Sequence, residues 1–430
     1  MATLDVPLLC LPGDRLPFDY GGPVAFDPVR PLDTLALLAS TQTGFTLPAV
    51  PDYLDFPAPL ADISRLCSDA GGVYAQEDEQ RFRTWLRHEI DVFMARVGGP
   101  AELVRLAHLL PIPRQEALLV PLVLLNHLWR QGSPTLDVAS GSSPLPGGFD
   151  VLLAALAEST GTPHRFNQIM MTMRVWRLDG VAAGAPVSYR DLADPERVFP
   201  QFALNGVSEA ELHFYRAFFA PESLGVPAYG WGCLLLECLK ADDVDLGALA
   251  LRCVHDALRN VHFCIRRLIP QIDAAGFRKI QVTAGWVNDD DNGYAAGYQL
   301  PFTRMMDALF HVEFSHPQAF AAMSGSLRFV PPRWTEFFRS IRELSTGLRP
   351  WVLGSGHPQL IDAYQRCIEM FTAYRTLRRH LAGQVLSGAT TTGRVFPSTT
   401  ENYRAFMTEM AALVSDTAKL GVSPDSDRNP

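Results

Sequence analysis

Apolar and polar residues alternate with a helical period over most of this chain. In QEDEQRFRTWLRHEIDVFMARV, residues 76–97, apolar positions recur every three to four residues between charged ones, which is the pattern of an amphipathic helix. Similar patterns predict helices over residues 101–110, 114–131, 149–160, 164–175, 208–219, 246–269, 300–313, 331–344 and 358–386. Strand signals are few, with one short candidate at 279–282. The sequence therefore predicts a mainly α fold.

A stretch rich in Gly, Ser and Pro, QGSPTLDVASGSSPLPGG at residues 131–148, interrupts the helical pattern. We place a domain boundary at its end in this 430-residue chain. Residues 1–148 then form a smaller N-terminal domain, mostly helical, which starts with a proline-rich irregular arm. Residues 149–422 form a large C-terminal helical domain. Residues 423–430 are predicted to be a disordered tail.

Composition and charge narrow the choice of partners. The net charge is −9, whereas phosphate binding needs a concentrated basic surface, so nucleic acid is not an expected partner. The seven cysteines form no C-x-x-C motif, which indicates reduced thiols in the cytoplasm. The N-terminus has no basic segment before its apolar residues, and the most apolar stretch, 117–129, is too short to span a bilayer. We therefore expect a cytoplasmic protein with no membrane partner.

The helix predicted at 358–386 carries the first candidate for chemistry. Its apolar stripe consists of Leu360, Tyr364, Cys367, Phe371, Tyr374 and Leu377. His380 follows three residues later, at the edge of this stripe, where an imidazole on a buried helix face can ligate iron. Three nearby cations, Arg375, Arg378 and Arg379, suit the anionic propionates of a heme. The alternative is a partly exposed histidine favoured by the dipole of a helix C-terminus, which is the more common case for such a segment.

Two loops are further candidates. SGATTTGRVFPSTTENY, residues 387–403, combines flexible glycines with hydroxyl groups that could hold a carboxylate or an amine, although it could equally be an ordinary connection. NDDDNGYAAGYQ, residues 288–299, resembles a calcium loop. Its first ligand position is Asn288, however, and Gln299 stands where a bidentate glutamate is needed, which favours a solvated acidic loop.

Several segments, in order along the chain, resemble the indoleamine/tryptophan 2,3-dioxygenase superfamily of heme enzymes, and most closely its pyrrolnitrin-biosynthesis branch. MTMRVWRLDG followed by PVSYRDL, within 171–192, is similar to the segment that enters the family's heme domain. SLRFVPPRWTEFF, at 326–338, resembles a conserved helix start, and LRPWVLGSGHPQLIDAYQRC, at 348–367, resembles the F-V-L-S-S-G…L-x-x-A-Y segment. The resemblance is strongest from about residue 250 to residue 400, and it implies a helical heme domain.

The resemblance assigns the iron ligand to His380. In YRTLRRHL this histidine follows Arg375 by five residues, as in the pyrrolnitrin branch. The indoleamine enzymes have a spacing of three, which would place Arg378 at the ligand position, and arginine cannot ligate iron. His380 is therefore the better match. The resemblance also implies that Asp307 and Arg375 form the Asp–Arg pair that braces the heme side in indoleamine enzymes.

The family's substrate-binding residues match this chain less completely. The Gly-rich loop that holds the ammonium and carboxylate of the substrate corresponds to Thr392, Gly393 and Arg394, with Arg394 in place of the second glycine. The carboxylate-binding arginine falls at Gln281, just before VTAGW. Arg394 could supply the missing guanidinium, or the substrate could lack the carboxylate.

The function implied by the resemblance is oxygenation of tryptophan, a substituted tryptophan or a related indole by heme b, in secondary metabolism. O₂ would bind the iron, with an external reductant as a further partner, and Phe214, Tyr215 and Phe218 would contribute to an apolar substrate pocket. Three alternatives stay open. They are a peroxide-dependent aromatic hydroxylase that uses H₂O₂ on the same fold, a heme or small-molecule binding protein without turnover, and a helical scaffold that binds no heme.

Overall fold

The computed structural model is mainly helical, as the hydrophobic pattern predicts. It describes residues 56–76, 79–131, 145–163, 166–167, 170, 176–182, 185, 195–203, 209–272, 276, 280, 293–294, 300–317, 324, 327, 330–386 and 400–421. No helix in these ranges is long and apolar enough to cross a membrane. The cysteines described, Cys67, Cys233, Cys238, Cys253, Cys264 and Cys367, are buried, and no disulfide joins any two of them.

Helices account for most of the described chain. They are α1 (Ala61–Gln76), α2 (Glu79–Val97), α3 (Pro100–His108), α4 (Ile112–Gln131), α5 (Phe149–Thr160), α6 (Glu209–Leu224), α7 (Val226–Ala241), α8 (Val244–Leu268), α9 (Pro301–Leu309), α10 (Pro332–Leu344), α11 (Leu348–Gly354), α12 (Pro358–Leu386) and α13 (Thr400–Ala418). The strands are β1 (Phe166–Asn167), β2 (Trp176–Leu178), β3 (Val198–Pro200) and β4 (Gly293–Tyr294).

The strands form two small pairs. β1 runs parallel to β4, with Phe166 opposite Gly293, and β2 runs antiparallel to β3. The helix predicted at 164–175 is therefore wrong at its start. Asn167 marks the end of β1, because its side-chain oxygen accepts a hydrogen bond from the backbone N–H of Met170 at 2.9 Å, which is the interaction of a helix N-cap rather than of a residue inside a helix. The strand predicted at 279–282 is also wrong at Ile280, which is buried and helical.

Helices α8 and α12 form the centre of the fold. α8 packs against α12, α7 and α6, and α13 packs along α12. α8 begins at an Asp243 cap, whose carboxylate accepts a hydrogen bond from the N–H of Leu246 at 3.0 Å. One side of α8 then carries small or branched apolar residues that are buried against its neighbours. This central pair fixes the inward face of α12, where the candidate residues lie.

The hydrophobic core continues across the predicted domain boundary. The larger of two hydrophobic clusters contains buried side chains between Phe56 and Leu381, and it includes α4 before residue 148 and α5 after it. A salt bridge of 2.6 Å between Glu116 and Arg333 also joins the two parts of the chain. The boundary at residue 148 does not divide the core, and the division into two domains stays a prediction.

Candidate functional site

Asp307 on α9 and Arg375 on α12 form a buried ion pair. Their exposed fractions are 3% and 5%. Arg375 also donates hydrogen bonds to the Leu413 carbonyl at 2.9 Å and to the Thr417 hydroxyl, both on α13. The structure thus brings together the two residues that the resemblance pairs, and one guanidinium ties three helices to each other. Their role beside a heme stays a prediction.

A second buried polar group lies about one turn further along α12. Glu222, near the end of α6, is 1% exposed, and it accepts hydrogen bonds from the backbone N–H of Phe302 at 3.0 Å and from the Tyr229 hydroxyl at 3.4 Å. The N–H of Phe302 is available because α9 has just begun at Pro301 and Leu300 offers no side-chain cap. Glu222 therefore caps α9 from a distant part of the chain.

Close packing explains how Glu222 reaches α9. Gly225 stands between α6 and α7, and a Cβ atom there would lie 2.2 Å from the Phe302 ring and 2.4 Å from the Pro221 carbonyl oxygen. Only glycine leaves room for the start of α9 at this junction. The Pro221 carbonyl accepts a hydrogen bond from the N–H of Gly225 at 3.0 Å, which holds the turn that presents Glu222.

Helix α12 contributes two more polar side chains to this place. The hydroxyl groups of Tyr374 and Thr303 are 3.1 Å apart. The Arg378 guanidinium lies 4.9 Å from the centre of the Phe218 ring, a cation–π arrangement, and its charge acts on Glu222. We call the five polar residues Glu222, Tyr229, Thr303, Tyr374 and Arg378 the Glu222 cluster.

Burial controls the protonation of the Glu222 cluster. Loss of hydration raises the pKa of Glu222 to about 8, although the Phe302 N–H, the Tyr229 hydroxyl and the Arg378 charge all oppose that rise. Burial also raises the pKa of Tyr374 and of Tyr229 above the ordinary tyrosine value. Glu222 is thus mostly protonated at neutral pH, and it releases its proton when the pH rises to about 8.

Aromatic rings surround the cluster on α6. The Phe214 and Phe218 rings are 4.6 Å apart, and both residues are buried. Tyr215, 1% exposed, donates its hydroxyl hydrogen to the Phe202 carbonyl at 3.2 Å. Of the three residues predicted to line a pocket, Phe218 contacts the cluster directly through Arg378, whereas the Tyr215 hydroxyl is committed to the backbone.

His380 lies on the opposite side of α12. It is exposed, as are Thr376 one turn before it and Gln384 one turn after it. Two residues along an α-helix rotate the side chain by about 200°, so the half-buried Arg378 points inward while His380 points outward. The expectation that His380 borders the buried stripe is wrong for this geometric reason. Arg379 is exposed as well.

These placements do not fit a heme iron held by His380. An axial imidazole needs an enclosed porphyrin face and a partner for its second nitrogen, and the described residues supply neither beside the exposed His380. The described residues also contain no group of three or more His, Cys, Asp or Glu side chains that could hold a metal ion.

The other predicted site residues lie outside the described part of the chain. They are Gln281, Thr392, Gly393 and Arg394, together with the acidic loop 288–299 apart from the backbone of β4. Sequence reasoning missed Glu222, Tyr229 and Thr303. The sequence signal that could have identified Glu222 is that it is the single charged residue in FFAPESLGVPAYGWG, residues 218–232.

Comparison with known proteins adds no family assignment to this geometry. A scan against protein-family models found no match, and a search of curated proteins found no significant relative.

Proposed function

We propose that this protein binds a small aromatic molecule between α6, α9 and α12, beside the Glu222 cluster. The proposal rests on the position of Arg378. This half-buried cation lies on the Phe218 ring, and its charge acts on the buried Glu222 carboxyl, whose pKa is about 8. Perturbed ionisable groups gathered in an aromatic environment are typical of binding and catalytic sites.

Folding alone accounts for only part of the cluster. A cap for α9 explains one acceptor at the N–H of Phe302, and a smaller polar side chain would supply it. It does not explain why a guanidinium and a tyrosine hydroxyl join the carboxyl in a mostly apolar core. Replacing buried ionisable groups by well-packed apolar side chains of similar volume is often neutral or stabilising, so stability alone does not account for the cluster.

The cluster also limits the chemistry of the ligand. The Phe218 ring, 6% exposed beside the half-buried Arg378, favours a flat aromatic body. Arg378 can bind a carboxylate, and protonated Glu222 can donate a hydrogen bond or accept one from a ligand N–H. An aromatic amino acid or an indole carries these groups. This ligand class agrees with the substrate class that the family resemblance implies.

Oxygenation of the ligand on heme b stays a prediction of that resemblance. It is supported by the paired Asp307 and Arg375, and it is opposed by the exposed His380. A protein that only binds the small molecule, without turnover, needs no iron ligand. We therefore propose binding as the function.

Binding is tested with a pair of neighbouring variants. Tryptophan and indole are titrated into the purified full-length protein by calorimetry, and the titrations are repeated with Arg378→Gln and Arg379→Gln. We expect Arg378→Gln to weaken tryptophan binding at least about tenfold, which corresponds to ~1.4 kcal/mol. Arg379→Gln, on the exposed side of the same turn, is expected to bind like the wild type. Equal affinities for the two variants would exclude the cluster as the binding site.

The cofactor is tested by an optical spectrum of protein expressed with heme supplied. Our placement of His380 predicts that His380→Ala leaves any heme spectrum unchanged, as does His88→Ala, which removes another exposed histidine. A Soret band that is present in the wild type and in His88→Ala but lost in His380→Ala would show that the imidazole ligates iron.

A further inference from the structure

Arg378 and Glu222 are neighbours in the Glu222 cluster that do not form an ion pair. The Arg378 guanidinium lies 4.9 Å from the centre of the Phe218 ring, and its charge acts on the Glu222 carboxyl. Arg375, just under one turn earlier on α12, is bound to the Asp307 carboxylate, whereas Arg378 forms no ion pair with any described residue. The charge of Arg378 is therefore still available to a ligand.

The two residues differ in their accessibility. Arg378 is half-buried, so part of its side chain can be reached from solvent. Glu222 is 1% exposed, and its carboxyl group accepts hydrogen bonds from the N–H of Phe302 at 3.0 Å and from the Tyr229 hydroxyl at 3.4 Å. A ligand can thus contact Arg378 but not Glu222, and Glu222 can act on a bound ligand only through its charge.

That charge depends on protonation. Both hydrogen-bond donors to Glu222 are neutral groups, and removal from water disfavours the ionised carboxylate, so its pKa rises to about 8. The groups that face Glu222 are the Phe302 N–H on α9, the Tyr229 hydroxyl on α7, and Tyr374 and Arg378 on α12. Among the described residues, no charged group of α6 itself or of α8, which packs against it, acts on Glu222. Burial raises the pKa of both tyrosines, and arginine stays charged, so Glu222 is the group in the cluster that changes its charge near pH 8.

We propose that Glu222 determines which aromatic ligands the site beside Arg378 accepts. This inference rests on the proposed binding function and extends it. Protonated Glu222 leaves the Arg378 charge to the carboxylate of an aromatic anion. Ionised Glu222 compensates the Arg378 charge and repels that anion, so the site then favours neutral aromatic ligands.

Proton binding and anion binding are linked in such a site. Because the anion binds better to the protein with protonated Glu222, anion binding in turn raises the pKa of Glu222. Coupling between two ligands of one protein changes affinity by about fivefold to about 150-fold. We therefore expect the affinity for an aromatic carboxylate to fall by at least about fivefold as the pH rises through 8, with uptake of a proton on binding above that pH.

The test compares two ligands of the same shape by calorimetry on the full-length protein. Indoleacetate carries a carboxylate and no amino group, so its charge is constant from about pH 6.5 to about pH 9.5. Indoleacetamide is its neutral counterpart. Between these two pH values we expect the affinity for indoleacetate to fall by at least about fivefold and the affinity for indoleacetamide to stay the same.

A pair of glutamate variants identifies the group that titrates. Glu222→Gln holds a neutral side chain at every pH, so we expect it to remove the pH dependence of indoleacetate binding. The matched control is Glu336→Gln, which changes an exposed carboxyl on α10 and is expected to retain that dependence. Urea unfolding of each variant at both pH values verifies that the protein in the calorimeter is folded.

Failure of this inference differs from failure of the binding function. Indoleacetate binding that is weakened by Arg378→Gln but is independent of pH would overturn the inference and leave the binding function in place. The same holds for a pH dependence that is equal in the wild type and in Glu222→Gln. Absence of binding by both ligands at both pH values would overturn the binding function and this inference with it.

Discussion

The buried Glu222 carboxyl predicts a dependence of stability on pH that one substitution removes. The pKa of Glu222 is about 8 in the folded protein, against an ordinary value of 4.5. Between these values the folded protein holds a proton that the unfolded chain releases, so the free energy of unfolding falls as pH rises. The contribution is complete below pH 4.5 and is lost as pH rises through 8. The slope is about 1.4 kcal/mol per pH unit, or ~5 kcal/mol across the interval.

Glu222→Gln isolates this contribution. The neutral amide resembles the protonated carboxyl and can still accept the hydrogen bond from the N–H of Phe302. We expect the variant to match the wild type in urea unfolding at pH 5 and to be more stable by several kcal/mol at pH 8. Burial also raises the pKa of Asp307 and adds a slope of the same sign, so the comparison rests on the difference between variant and wild type at each pH.

An exposed glutamate provides the control for this pH dependence. Glu336→Gln changes an exposed carboxyl on α10 and is expected to leave the pH profile of the wild type unchanged. A Glu222→Gln protein that is less stable than the wild type by one amount at every pH would refute the reasoning. That result would mean that Glu222 is ionised in the folded protein and is stabilised by Arg378.

Three further substitutions test the packing around the site by urea unfolding. Arg375→Met leaves the Asp307 carboxyl buried without its partner and is expected to cost about 3–5 kcal/mol; a loss below ~1 kcal/mol would show that solvent reaches the pair. Gly225→Ala forces a methyl group against the Phe302 ring and is expected to cost about 1–3 kcal/mol, whereas an unchanged midpoint would show that α9 can shift. His380→Ala is expected to stay within about 0.5 kcal/mol of the wild type, and a larger loss would indicate a buried contact for this imidazole.

Most helices with one exposed side were predictable, whereas a helix without one was not. The amphipathic pattern of 358–386 gave the bounds of α12, and the prediction of 331–344 differs from α10 by one residue. α7 was missed because 11 of its residues, including two glycines, are buried, so no polar side interrupts the apolar residues. α1 and α13 were missed as well, although each has an exposed side and the sequence of α13 contains no proline or glycine.

In the candidate site, only the contact between Asp307 and Arg375 was predictable. Asp307 and Arg375 were named together through the family resemblance, and the structure places them in contact. The Glu222 cluster draws on α6, α7, α9 and α12, and the contact between Glu222 and Phe302 spans 80 residues. No local periodicity encodes such a contact, since it depends on how the helices pack.

Arg378 and His380 show that the position of a residue around the axis of α12 predicts its burial better than its residue type does. Phe371, Tyr374, Arg378 and Leu381 follow one another at steps of three or four residues, and all of them lie on the inward side of α12. The buried stripe therefore passes through an arginine, whereas the histidine that invites a metal lies out of phase by two residues. A charged residue in phase with a buried stripe needs a partner, because an unpaired buried charge is too costly to keep. For Arg378 the structure supplies the Phe218 ring and the neighbouring Glu222 carboxyl, which is protonated at neutral pH, so we propose that the carboxylate of a ligand supplies the opposite charge. The comparison of Arg378→Gln with Arg379→Gln decides the point, since only the first lies in phase.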